Sequence, residues 1–138
     1  MIVLDTSVLS ESLRPQPSSI VLDWLHAQPV VALFTTAITE AEIYLGIALL
    51  PQGNRRRSLE LAVGRIFTNS FSGRILPFDS AAAREYAVIA VTRRRLGRPI
   101  SEADARIAAI ARSRGAPLAT RNTEDFEGCD LEVLNPWH

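Results

Sequence analysis

Five short strand-like runs punctuate the chain, at residues 2–4, 30–35, 74–79, 117–120 and 131–134. Stretches of helical length separate most of them, at about 18–27, 36–50, 54–69, 80–96 and 101–114, and each is followed by glycine or proline. Residues 10–17, with Pro15 and Pro17, read as a turn, and residues 121–130 as a loop. The order is β-α-β-α-α-β-α-α-β-β. Antiparallel neighbours can be joined by tight turns, whereas strands separated by helices imply a largely parallel sheet with helices on both faces. No internal repeat or linker interrupts the pattern, so residues 1–138 are expected to form one domain. Pro77 marks the third run as an edge strand or a strand end.

This architecture gives the first run its meaning. Ile2, Val3 and Leu4 are apolar at successive positions, as in a strand covered on both faces, and Asp5 ends them abruptly. Ligands of open parallel sheets bind at the carboxyl ends of strands. Asp5 therefore stands at the mouth of a candidate site.

Composition excludes several classes. A hydrophobic content of 47% with 22% charged residues is that of a globular chain rather than a disordered one. The single cysteine, Cys129, allows no intramolecular disulfide and suits a reducing compartment. No secretory signal is visible, and the apolar-looking stretch 37–50 contains Glu40 and Glu42 and is too short to cross a bilayer. A soluble, cytoplasmic protein is expected. Net charge is zero, and all fifteen basic residues are arginines, including Arg55-Arg56-Arg57 and Arg93-Arg94-Arg95. Guanidinium groups suit phosphate oxygens, but basic runs are also ordinary solvated helix faces.

The acids on the helices are not equivalent. At about 100° per residue, Glu40 and Glu42 lie roughly 200° apart. Glu42 shares its stripe with Ile38, Leu45, Gly46 and Leu49, the more aliphatic and inward side; Glu40 points away, beside Tyr44 and Ile47. Neither side is strongly polar, so cover on both is expected. In the helix over 101–114, Asp104 aligns with Ile100, Ile107, Ala108 and Ala111, while Glu102 lies opposite as an i,i+4 partner for Arg106. Asp104 is thus a carboxylate on a stripe that packs against the sheet, where it must be paired, protonated or bound to metal.

Capping offers a simpler account of each acid. Thr39-x-x-Glu42 and Ser101-x-x-Asp104 match the capping-box pattern, and Asp5 could cap a turn. Yet a parallel sheet gathers all three acids on one edge. The strand over 117–120 brings Asn122 and Asp125 there too, as candidate ligands or water-positioning groups. Several carboxylates, with neither His26 nor His138 in zinc-ligand spacing, favour Mg²⁺ or Mn²⁺. Such a site can hold phosphate oxygens and lower the pKa of an attacking water, which points to phosphodiester hydrolysis.

In order and spacing, four segments resemble the PIN-domain ribonucleases, and more narrowly the VapC toxins of type II toxin–antitoxin pairs. They are Asp5-Thr6-Ser7-Val8-Leu9, the segment around Glu42 (Thr39-Glu40-Ala41-Glu42-Ile43-Tyr44-Leu45-Gly46), the segment around Asp104 (Ala103-Asp104-Ala105-Arg106-Ile107-Ala108-Ala109), and Thr120-Arg121-Asn122-Thr123-Glu124-Asp125-Phe126. Leu13-Arg14-Pro15-Gln16-Pro17, Gly73-Arg74-Ile75-Leu76-Pro77-Phe78-Asp79 and the closing Asn135-Pro136-Trp137-His138 are similar to the FitB branch. The resemblance implies a three-layer α/β/α PIN-like fold and Mg²⁺- or Mn²⁺-dependent endonucleolytic cleavage of RNA. It also implies a homodimer, and a small DNA-binding antitoxin whose C-terminal segment blocks the acidic site. By position, Asp5, Glu42 and Asp104 would be the metal-binding acidic core, and Thr6, Ser7 and Thr120 would orient ligands or water. Where FitB-type sequences commonly carry aspartate, this chain has Asn122, with Asp125 three residues later; that leaves one-metal and two-metal chemistry both open.

Two other readings compete. A haloacid-dehalogenase-type phosphotransferase also has an aspartate after its first strand, but expects a second two residues on, where Ser7 stands. A catalytically silent module binding RNA or protein on the same fold is the other. Intact Asp5, Glu42 and Asp104 argue against it.

Overall fold

The computed structural model describes residues 1–138. Its strands are β1 (Ile2–Leu4), β2 (Leu33–Thr36), β3 (Ile75–Leu76), β4 (Leu118–Ala119) and β5 (Val133–Leu134). Its helices are α1 (Thr6–Ser12), α2 (Ser19–His26), α3 (Ala37–Ala48), α4 (Asn54–Arg65), α5 (Ser80–Arg95) and α6 (Glu102–Ser113). The sheet order is β3-β2-β1-β4-β5, and every neighbouring pair is parallel. The expected parallel sheet is thus observed, with β3 at one edge and Pro77 just beyond its end.

The period-2 alternation of strands divides the core. Val3 and Leu118 face one layer, packed with Ile89, Ile107, Ile110 and Phe126 from the α5–α6 side. Leu4 and Ala119 face the other, with Val8, Val21, Ile43, Ile47, Val63 and Phe67 from the α1–α4 side. The result is a helix–sheet–helix sandwich with its central strand, β1, buried on both faces.

Several expectations need correction. Residues 10–12 are not a turn but the end of α1, which starts directly after β1. Asp5 caps this short helix by accepting from the Val8 amide at 3.3 Å. The second run begins as a 3-10 turn over Val30–Ala32, and strand pairing starts only at Leu33. The helix expected over 54–69 passes into a π-turn over Ile66–Ser70, and the loop over 121–130 contains a 3-10 turn, Thr123–Phe126.

The α3 stripe also differs. Its buried residues are Thr39, Ile43 and Ile47, whereas Leu45 and Leu49 are 60% and 76% exposed. Glu42 is therefore on the outer margin of the helix rather than its inward face. The inward side is chosen by where α1 and α4 lie, since α3 is apolar nearly all round. On α6 the reading holds: Ile107, Ala108 and Ala111 are buried, Asp104 is half-buried, and exposed Glu102 pairs with Arg106 at 3.6 Å.

Candidate active site at the carboxyl edge of the sheet

Adjacent strands β1, β2 and β4 all end at one edge. The Asp5 amide donates to the Ala119 carbonyl at 3.0 Å, and Thr35 Oγ1 donates to the Leu4 carbonyl at 3.2 Å, so the ends are locked together. Asp5 is only 4% exposed. Its Oδ1 accepts from Ser7 Oγ at 2.6 Å. Burial pushes the Asp5 carboxyl above its ordinary value, while the Ser7 and Thr120 hydroxyls and the Val8 and Ser7 amides pull it back.

Glu42 reaches the same edge from the outer margin of α3. Thr6 Oγ1 donates to its carboxylate at 2.6 Å, with the Thr39 hydroxyl 3.2 Å from Thr6. The capping-box reading of Glu42 fails, because the cap is Thr36, whose hydroxyl accepts from the Thr39 amide at 3.1 Å. Glu42 is thereby free for another role. Thr39, fully buried, backs Thr6 through its hydroxyl, a candidate supporting position that the sequence reading treated only as a cap.

Asp104 arrives from the first turn of α6, where Ser101 Oγ accepts from its amide at 3.2 Å. Its carboxyl is raised first by burial, against the Ser101 hydroxyl, and then by the charges of Asp125, Asp5 and Glu42. Asp104 therefore feels all three other acids. Asp125 sits in the 3-10 turn after β4, and its amide donates to the Asn122 carbonyl at 3.0 Å. The Asn122 amide in turn donates to Thr120 Oγ1 at 3.1 Å. Thr120 is buried; Asn122 and Asp125 are exposed at the rim.

The donor set is all oxygen: carboxylates backed by hydroxyls. That chemistry fits a hard divalent cation, whose charge would relieve the repulsion acting on Asp104. No three acidic side chains close into a ready-made cage. Magnesium commonly binds through one or two carboxylates and retains several waters, so an open arrangement suits it.

The turn bearing Asp125 is clamped from behind. Arg93, 4% exposed, donates from Nη1 to the Glu127 carbonyl at 2.6 Å and from Nε to the Arg98 carbonyl at 2.7 Å. Arg112 donates to the Cys129 carbonyl at 3.2 Å and pairs with Glu85 at 2.8 Å. The second arginine run is thus not wholly a solvated face: Arg94 and Arg95 are exposed, but Arg93 is structural. Nothing local in the sequence distinguishes the three.

A PIN-domain family model matches residues 2–129. This chain belongs to the PIN-domain family. The PIN domain is 43% identical over 138 residues to Toxin FitB of Neisseria gonorrhoeae, covering 100% of this chain and 99% of that protein. It is 41% identical over 137 residues to VapC ribonuclease Y4jK of Sinorhizobium fredii, covering 99% and 98% respectively. Among solved structures, FitAB bound to a DNA fragment superposes with a TM-score of 0.94 at 43% identity, covering 100% of this chain and 96% of that one. The three-layer α/β/α fold expected from the resemblance is therefore the fold of its relatives.

Proposed function

We propose that this PIN domain is the toxin of a type II toxin–antitoxin pair and acts as a Mg²⁺- or Mn²⁺-dependent endoribonuclease. The observation that carries this reading is the convergence of Asp5, Glu42, Asp104 and Asp125 on one sheet edge, with Asp5 and Glu42 held there by the Ser7 and Thr6 hydroxyls at 2.6 Å. Homology to proteins named VapC ribonuclease and Toxin FitB supports it.

Asp5, Glu42 and Asp104 would hold the ion. When bound, it supplies charge to neutralise phosphate oxygens and to acidify a water for in-line displacement. Ser7 holds Asp5 in one rotamer and Thr6 holds Glu42, so that neither carboxylate must be ordered when substrate arrives. Thr120 backs Asp5 and receives the Asn122 amide, linking the two arms of the site. Asn122 and Asp125 would position ligands or water at the rim. The whole chain would work as one domain, as a homodimer in the cytoplasm, and be silenced by a small DNA-binding antitoxin covering the acidic edge. Complexes of FitAB and of a VapBC pair among the structural neighbours support such a partner. No helix is long and apolar enough to cross a membrane.

The test is incubation of the purified chain with single-stranded RNA in Mg²⁺, in Mn²⁺ and in EDTA. Internal cleavage in either metal, its loss in EDTA, and its loss in Asp5→Asn are the expected results. A folded wild-type chain that leaves RNA intact in both metals would instead be a silent binding module.

A further inference from the structure

An acidic edge repels a polyanion, so in a PIN domain of zero net charge a cationic side chain beside the site would add to a bound ion in receiving RNA. Most arginines near the core are already committed. Arg98 pairs with Glu127, Arg106 with Glu102 and Arg112 with Glu85, while Arg93 and Arg74 are spent on main-chain carbonyls. Arg55, which lines a cavity with Thr6 and Glu42, and Arg121 have no such partner, and of the two only Arg121 is braced on an aromatic ring. It is exposed, its guanidinium pairs with no carboxylate or carbonyl, and it lies over the Trp137 ring at 5.1 Å from the centroid.

Its backbone is fixed to the acidic site. The Arg121 amide donates to Ser7 Oγ at 3.1 Å, and Ser7 Oγ donates to Asp5 Oδ1 at 2.6 Å. Two hydrogen bonds thus separate the Arg121 main chain from the most buried acid of the site. Trp137 is itself half-buried and packs against the core layer that contains Leu4, Val8 and Ala119. An indole so anchored holds the guanidinium in place without neutralising it, and leaves its N–H edge open to an incoming oxyanion.

We propose that Arg121, braced on Trp137, is a phosphate-binding subsite for the single-stranded RNA nucleotide flanking the one held at the acidic edge. The inference rests on the ribonuclease reading above. The cation–π contact could alternatively do no more than tether the C-terminal segment, and salt dependence separates the two. A residue that contacts a phosphate contributes to counterion release, about 0.7 per phosphate in the slope of log affinity against log salt for single strands. A tether contributes nothing to it.

The experiment measures kcat/KM for a single-stranded RNA oligonucleotide in Mg²⁺ across a salt series, with melting temperatures recorded alongside. For Arg121→Ala, kcat/KM is expected to fall roughly tenfold at low salt, mainly through KM, with the slope shallower by about 0.7. Arg121→Lys should restore the slope, and Arg95→Ala, an exposed arginine elsewhere, should match wild type. If Arg121→Ala lowers the melting temperature and leaves the slope at the wild-type value, or if Arg95→Ala changes it equally, the subsite is wrong. If wild type does not cleave RNA at all, it is the ribonuclease reading that has failed.

Discussion

The Thr6 hydroxyl donates to the Glu42 carboxylate at 2.6 Å, joining the first residue of α1 to an exposed acid in the second turn of α3. An exposed glutamate would otherwise sample several rotamers, and this bond selects the one turned toward α1 and the end of β1. Thr6→Val keeps the shape and deletes the donor. It is expected to reduce metal-dependent RNA cleavage about tenfold while costing only about 1 kcal/mol of stability. Thr6→Ser should retain activity. Cleavage assays paired with denaturant titration distinguish these outcomes.

Asp5 and Asp104 yield a prediction that links activity to stability. Both carboxyls are raised above the ordinary value of 3.8, with burial the first cause. A folded-state pKa above the unfolded one means that the native state holds the proton more tightly. The associated stability is complete below the unfolded value and is lost as pH rises through the folded one. The metal-free protein should therefore lose stability on leaving the acid range. Asp5→Asn and Asp104→Asn should melt higher than wild type at pH 7 in EDTA, with the difference vanishing near pH 3, while RNA cleavage is abolished. Thermal melts across pH, with a cleavage assay, check both halves.

Metal addition should act in the opposite sense. A cation among these acids favours their ionised forms, so Mg²⁺ is expected to raise the melting temperature of wild type in a concentration-dependent way. The same titration of Asp104→Asn should give a much smaller rise. Equal shifts for the two proteins would place the ion elsewhere.

Glu40 and Glu42 form an internal control on α3. Asp104 feels Glu42, and no hydrogen bond ties Glu40 to the site. Glu42→Gln should lower cleavage by an order of magnitude or more, whereas Glu40→Gln should stay near wild type. A larger defect for Glu40→Gln would reverse the assignment.

Arg93 should be the costliest of its run to replace. Arg93→Met leaves the Glu127 and Arg98 carbonyls without their donor in a partly buried setting and loosens the turn that carries Asp125. A loss of roughly 2–3 kcal/mol is expected, against under about 0.5 for exposed Arg95→Met. Urea denaturation of the two variants measures the contrast.

Local chemistry in the chain determined the parallel sheet, the Asp5 strand end, the opposition of Asp104 and Glu102, and the acidic character of one edge. These follow from alternation, strand length and helical periodicity, which are properties of neighbouring residues. Tertiary structure alone decided which side of α3 faces inward. The helix is apolar nearly all round, so the packing of α1 and α4, not its own pattern, buries Thr39, Ile43 and Ile47 and leaves Leu45 outside. It likewise decided that Arg93 is buried while Arg94 and Arg95 are not, and that Arg121 rests on Trp137, sixteen positions later in the chain. Such choices depend on groups distant in sequence, whose approach no local pattern encodes.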